Sequence, residues 1–262
     1  MKVYPLISTA LLSVFLINCG SNDTDELEPV DVRFERGEEY FNDRKFEKAI
    51  AEFKFVTFNA PGNEFGDDAQ FYLAESHFEL KEYIIAISEY ERLMRIHPES
   101  PLVEKGEYKK ALAFDILSPK SHHDQENTLK ALRAYQEFIE DWPLSELKVK
   151  AEARLDDLRF KLAKKMFDAG KQYQKLGECK ASIIYMRQLL EQYYDSEFAP
   201  KARWRIAECE MKLKEWNAAL STIVDILNRD DHQKTVEKAR EALKKVKSKA
   251  ENPGDQALAG DR

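Results

Sequence analysis

Apolar positions recur along most of this chain with helical spacing, and small residues return inside that pattern at fixed offsets. Gly37, Tyr40, Ala49, Phe53 and Pro61 stand at offsets 0, 3, 12, 16 and 24. Ala74, His77, Ala86, Tyr90 and Pro98 repeat the frame. Ala131, Tyr135 and Pro143 repeat its later part, with Ala111 as the earlier small residue when eight extra residues lie between the helices. Ala169, Gln172, Ala181 and Tyr185 give a fourth copy, with Tyr193 in the proline slot. Ala207, Ala219 and Ile223 give a fifth, with Asp231 in that slot. The second small residues fall at 49, 86, 131, 181 and 219, so the steps are 37, 45, 50 and 38. Such self-similarity predicts stacked helical hairpins. A small residue belongs where the two helices of a hairpin cross, because a larger side chain would push the axes apart. The proline ends the second helix and biases the residue before it away from helical geometry. One hairpin cannot bury its apolar face alone, so neighbours must stack.

These small, aromatic and proline positions resemble the tetratricopeptide repeat. The expected fold class is therefore all-α: a tetratricopeptide-repeat solenoid of about five helical hairpins plus a C-terminal capping helix. Repeats one to three occupy residues 30–143, and repeats four and five with the cap occupy 144–250. Residues 118–127 (SPKSHHDQEN) read as a polar insertion in the third repeat, and 144–157 as an extension of a helix. Lys234 to Lys249 hold seven basic residues and two acids, a capping helix with a basic end. Residues 251–262 are polar with Pro and Gly and are expected to be disordered.

The N-terminus has a different character. Lys2 precedes a mostly apolar run from Val3 to Ile17, short for a membrane span, which needs ~20 residues. The run ends Leu16-Ile17-Asn18-Cys19-Gly20, which resembles a bacterial lipoprotein signal. That resemblance implies a signal peptide at 1–18, with Cys19 as the acylated first residue of the mature chain. Asn18 departs from the small residue usual before the Cys. Acyl chains anchor at ~0.8 kcal/mol per buried methylene. Gly20, rather than Asp, follows the Cys; by resemblance to enteric lipoproteins this favours the outer membrane. The acidic tether is 19–29, and residues 20–31 (GSNDTDELEPVD) hold five acids and no base, so the charges repel and extend it.

Composition narrows the function. Of the 262 residues, 43% are hydrophobic and 34% charged, which is globular and too polar for a multispanning protein. Gly and Pro number only 9 each, disfavouring a fold of many tight turns. The formal net charge of −7, or −8 once residues 1–18 with their single Lys are removed, excludes a generally basic nucleic-acid binder. No HExxH, P-loop or Gly-x-Ser-x-Gly pattern is present. His122-His123-Asp124 has no second cluster at ligand spacing, and adjacent residues point apart on a helix. Cys179 and Cys209 fall on neighbouring helices, as two small buried hydrophobes or as a disulfide. No catalytic residue, metal or cofactor is expected, which leaves a binding surface.

In the repeat family, positions five and twelve of each first helix often face the inner groove. Here they are Phe34 and Phe41, Phe71 and Phe78, Tyr108, Met166 and Tyr173, and Trp204 and Met211. This apolar row could receive a peptide or pack successive helices, and a spacing of seven suits either. Cytosolic chaperone-binding repeats clamp a carboxylate with Lys at position five and Asn at position nine; Phe34 and Glu38 stand there, so that clamp is absent.

An acylated five-repeat chain of this kind resembles the BamD family, lipoprotein subunits of the outer-membrane β-barrel assembly machinery. The resemblance spans about residues 30–230 and is sharpest over LKALRAYQEFIEDWPLSE and LDDLRFKLAKKMFDAGKQYQKLGECKASIIYMRQLL. Tyr193-Tyr194-Asp195-Ser196 stands where the family often has Tyr-Pro-Asp-Ser. The resemblance implies a non-enzymatic scaffold in the outer membrane, facing the periplasm. It implies that the N-terminal repeats engage unfolded barrel substrates. The C-terminal repeats would dock the periplasmic domains of the barrel subunit, BamA, beside other assembly lipoproteins. On that basis Phe34, Phe41, Phe71, Phe78 and Tyr108 are candidate groove residues, and Arg187, Arg203 and Arg205 candidate partner contacts. A coordinator of cell-wall synthesis or division, or of pilus or secretin assembly, is the alternative.

Overall fold

The structure is a computed structural model and describes residues 28–229 and 232–251. Cys19, the signal peptide, nearly all of the acidic tether, Asp231 and the tail from 252 onwards lie outside the described residues. Eleven α-helices and no strand occur among the described residues. They form five antiparallel hairpins: α1 (Val30–Asn42) with α2 (Phe46–Asn59), α3 (Gly66–Glu79) with α4 (Tyr83–Ile96), α5 (Val103–Leu117) with α6 (Glu126–Asp141), α7 (Lys148–Lys175) with α8 (Cys179–Gln192), and α9 (Ala199–Lys212) with α10 (Trp216–Asn228). The last helix, α11 (Gln233–Glu251), packs on α10 and α9 and caps the stack. Each helix packs on the one before and the one after. Odd-numbered helices also meet, α1 with α3, α7 with α9 and α9 with α11, so they line an inner face. The all-α repeat solenoid expected from the sequence is the fold observed.

Each hairpin is held by a contact between a small residue on its first helix and a large one on its second. A Cβ added at Gly37 would lie 2.7 Å from the Phe53 ring, so only hydrogen fits at this crossing. Ala74 and Ala111 hold the matching places on α3 and α5, with Tyr90 and Tyr135 as the large partners, all four fully buried. In the fourth hairpin the frame sits one residue later than the sequence spacing suggested. A Cβ at Gly170 would lie 2.6 Å from Met186 Cε, and Ser182 and Met186 are fully buried. Ala181 and Tyr185 are only half-buried. The crossing residues are therefore 49, 86, 131, 182 and 219, and the steps become 37, 45, 51 and 37. The first and last steps are now equal. The two long ones are accounted for by the 118–125 insertion and by the 28-residue α7.

The turns repeat as faithfully as the helices. Between hairpins, Asn63 N–H donates to Ala60 C=O and Gly66 N–H to Asn63 C=O. The same double turn recurs at His97-Ser100-Val103, Trp142-Ser145-Lys148 and Tyr193-Ser196-Ala199. Pro61, Pro98 and Pro143 each follow the C-cap directly, which keeps that residue out of helical geometry. Tyr193 adopts φ −136°, ψ 48° with no proline behind it, so the turn does not depend on the missing ring. Within hairpins, Lys45 N–H reaches back to Tyr40 C=O, Glu82 to His77, Glu178 to Tyr173 and Glu215 to Glu210. This six-to-one bond closes the helix through a left-handed residue, which is Arg44, Lys81, Gly177 or Lys214.

Only Gly177, at φ 87°, is spared the cost of a Cβ in that conformation. Replacing Arg44, Lys81 and Lys214 with Gly is expected to raise stability by about 0.5–1 kcal/mol each. Thermal melts of the single and triple variants check this; Gly177→Ala should move the other way.

Candidate functional site

The inner face of repeats one to three carries the aromatic row. Phe34 and Phe41 lie two turns apart on α1, as do Phe71 and Phe78 on α3, with Tyr108 on α5. The members sit at different depths. Phe34 is 6% exposed and stacks on Phe65, centroids 4.9 Å apart, in the turn entering α3. Phe71 is 2% exposed, against Tyr72 and Tyr90 and beneath the Lys105 ammonium. Both belong to the packed interior. Phe41, Phe78 and Tyr108 are half-buried. Phe41 packs edge-on against Phe46 and Tyr72, Phe78 against Tyr83, and Tyr108 against Phe138. Their remaining faces form the accessible part of the row. In the first two repeats position five is enclosed and position twelve stays open, while Tyr108, at position five of the third, is open as well.

In repeats four and five Met166, Tyr173, Trp204 and Met211 are likewise half-buried. The three candidate arginines do not share a surface role. Arg187, on α8, donates to Glu210 at 3.2 Å. Glu210 is only 1% exposed and also accepts the Thr222 hydroxyl at 2.7 Å. Arg203 is 8% exposed, with Asp225 at 3.9 Å. Arg205 lies over the Phe167 ring at 5.4 Å and donates to Gln174. Arg187 thus neutralises a buried acid, Arg203 is enclosed, and Arg205 faces the inner groove.

Two features escaped sequence reasoning. Glu75 on α3 is 7% exposed, accepts the Tyr90 hydroxyl from α4 and pairs with Lys109 of α5 at 2.7 Å. The network ties repeats two and three together. At the tether exit, Glu28 pairs with Arg36 at 2.6 Å and Arg33 at 3.1 Å, and both arginines also hold Glu52 at 2.9 Å. The acidic stretch therefore ends in an ion-pair clamp, and α1 begins at Val30, inside it.

Cys179 and Cys209 are free and buried in one cluster. Burial, with a hydrogen bond to Cys179, pushes the Cys209 thiol up to about 11. Among the described residues, no group of three or more His, Cys, Asp or Glu could hold a metal ion, and no helix is long and apolar enough to cross a membrane.

The carboxylates give the fold a pH signature. Burial raises the carboxyls of Glu38, Asp68, Glu107, Asp115 and Glu210, reinforced at Glu38 by Asp68 and Glu35. Such groups favour the folded state when protonated, so their contribution is lost as pH climbs from the ordinary carboxyl range through their raised values. Glu28 runs the opposite way, lowered first by its hydrogen bond from Arg36. At Glu52 burial opposes ionisation, but hydrogen bonds from Arg36 and Arg33 outweigh it and hold the carboxyl low. That stabilisation disappears only as pH falls below the ordinary range. The thermal midpoint is therefore expected to be higher near pH 5 than at pH 7, and to fall again in stronger acid. Melts across that range check it, and Asp115→Asn with Glu210→Gln should flatten the neutral limb.

The chain is 25% identical over 216 residues to the outer membrane protein assembly factor BamD of Rickettsia prowazekii, covering 81% of this chain and 86% of that protein. It is 23% identical over 188 residues to the BamD of Caulobacter vibrioides, covering 72% of this chain and 62% of that protein. Among solved structures it is similar to a thermophilic tetratricopeptide protein of Thermus thermophilus, with 16% identity, TM-score 0.35 and coverage of 82% and 99%. It is also similar to the TPR2AB domain of yeast Sti1, with 17% identity, TM-score 0.40 and coverage of 85% and 98%. Residues 28–222 match the YfiO family, described as outer membrane lipoprotein, so the match runs from the tether clamp to the middle of α10. With its signal-like start ahead of that match and its repeats inside it, the chain belongs to the YfiO family of outer membrane lipoproteins.

Proposed function

We propose that this protein is a lipid-anchored scaffold subunit of the outer-membrane β-barrel assembly machinery. It is held to the membrane through acylated Cys19 and faces the periplasm. Its relatives are named as assembly factors, and the single observation that carries the reading is the family match over residues 28–222. In this reading the half-buried aromatics Phe41, Phe78 and Tyr108 form the accessible floor of an inner groove for unfolded barrel substrates. Phe34 and Phe71 support that floor from within. The C-terminal repeats dock the BamA-like barrel subunit, beside other lipoproteins of the complex. The protein works by holding polypeptides, with no catalytic step and no cofactor.

The deciding experiment is affinity capture of the tagged chain from solubilised membranes. Recovery of a barrel with periplasmic repeat domains, and loss of outer-membrane barrels on depletion, are the expected results. Recovery of cell-wall synthases or a secretin in its place overturns the assignment. Cys19→Ser is expected to move the protein from the membrane to the soluble fraction.

A further inference from the structure

Two cavities open side by side on the inner face of the C-terminal half. One, of about 450 Å³, lies between α7, α9 and α11; the other, of about 540 Å³, lies between the ends of α7 and α9, the start of α10 and α11. Glu208 borders both, so together they make one groove along α9. Its apolar walls are Phe167, Trp204, Met211 and Trp216. Around the first cavity stand Lys171, Lys201, Arg205, Lys234 and Lys238, and around the second Lys175, Lys212 and Lys245. Among the described residues Glu208 is the sole carboxylate in either lining, and it already accepts a hydrogen bond from Gln174 at 3.1 Å. Among the described residues none of these lysines has an ion-pair partner. Several of the cations are held over rings instead: Lys238 lies 5.7 Å from the Trp204 centroid and Arg205 5.4 Å from that of Phe167.

In a chain of net charge −7 this concentration of unpaired cations is a local inversion of sign. Like charges gathered in a concavity repel, and an anionic occupant removes that cost. The rings between them ask for apolar or aromatic side chains as well as charge. We propose that the groove of α7, α9 and α11 binds an acidic polypeptide segment that alternates carboxylates with aromatic or apolar side chains. Charge complementarity and shape both favour a peptide. A bilayer surface is flat and cannot enter a cavity, and a nucleic acid brings a dense row of charges that the chain's overall negative charge opposes. Along α9, ~21 Å at 1.5 Å per residue, about six extended residues fit. The proposal rests on the scaffold reading only in taking the occupant to be a polypeptide.

The test is fluorescence anisotropy of a labelled peptide of about eight residues, Asp and Glu alternating with Phe, titrated with the folded chain. Binding is expected, and it should weaken as salt rises from ~50 to ~300 mM. Lys201→Glu with Lys238→Glu should lower affinity at least tenfold while circular dichroism is unchanged. If that variant misfolds, Lys201→Gln with Lys238→Gln should lower it severalfold. Equal affinity in a folded variant, equal binding of the peptide with Gln for its acids, or tighter binding to phosphatidylglycerol vesicles or a single-stranded oligonucleotide overturns the proposal. A negative titration removes this groove but leaves capture of a barrel subunit and barrel loss on depletion free to support the assembly reading.

Discussion

Lys109→Met should lower stability by about 3 kcal/mol, far more than removal of an ordinary surface lysine. Lys109 comes from α5 and reaches across to Glu75 on α3 at 2.7 Å, where Tyr90 of α4 donates to the same carboxylate. The Glu75 side chain is only 9% exposed, so water does not replace the lost ammonium. Methionine keeps most of the hydrocarbon stem and removes the ammonium, which also lies 4.6 Å from the Phe78 centroid, so the substitution reports the charge. Glu75→Gln in the same background removes the stranded charge and should recover most of the loss. Tyr90, the other partner, is fully buried and its hydroxyl is held well above the ordinary phenol range, by burial first and then by Glu75, so it stays a donor at any physiological pH. Denaturant midpoints of the two single variants and the double variant give the coupling directly. A double variant no more stable than Lys109→Met alone would show that the lysine acts through packing.

The repeat architecture was legible because its constraint is local. A small residue and a large one sixteen positions apart must meet at a crossing, and that pair survives in the sequence as Gly37 with Phe53, Ala74 with Tyr90 and Ala207 with Ile223. The fourth repeat misled because Ala181 neighbours Ser182 and Tyr185 neighbours Met186. Residue type favoured the first of each pair, while burial selects the second. The groove was legible only as a direction. A spacing of seven names a helix face, but it does not say that Phe65 will stack over Phe34 or that Tyr90 will enclose Phe71. The basic groove was legible only in its α11 share, Lys234, Lys238 and Lys245, which fall in the basic run of the last helix. Its cations run from Lys171 to Lys245 on separate helices, diluted by acids in the sequence, and only stacking of α7, α9 and α11 gathers them. The buried Glu75 network was hidden for the same reason, since its members sit on three different helices.

Ala49→Leu is expected to cost about 3 kcal/mol, whereas Ala51→Leu, two residues along the same helix, should be nearly neutral. Ala49 is fully buried among Phe34, Phe53, Val56, Ala69 and Leu73, where α1, α2 and α3 converge. Ala51 is exposed. Both substitutions add the same atoms to the same helix, and leucine is nearly as good a helix former as alanine, so the difference reports the crossing alone. The damage should also be unevenly spread. A solenoid repeat touches only its neighbours, and among the described residues the first hairpin has a neighbour on one side. It can therefore detach from α3 while the rest stays stacked. Hydrogen exchange in Ala49→Leu is expected to accelerate in α1 and α2, with α7 to α11 protected as in the parent chain. Ala86→Leu, fully buried in the second hairpin with a neighbour on either side, cannot be relieved by fraying at an end. Its cost should spread into α2 and α5 and lower the main unfolding transition. Uniform acceleration across all helices in Ala49→Leu would mean that the stack unfolds as one cooperative unit rather than repeat by repeat.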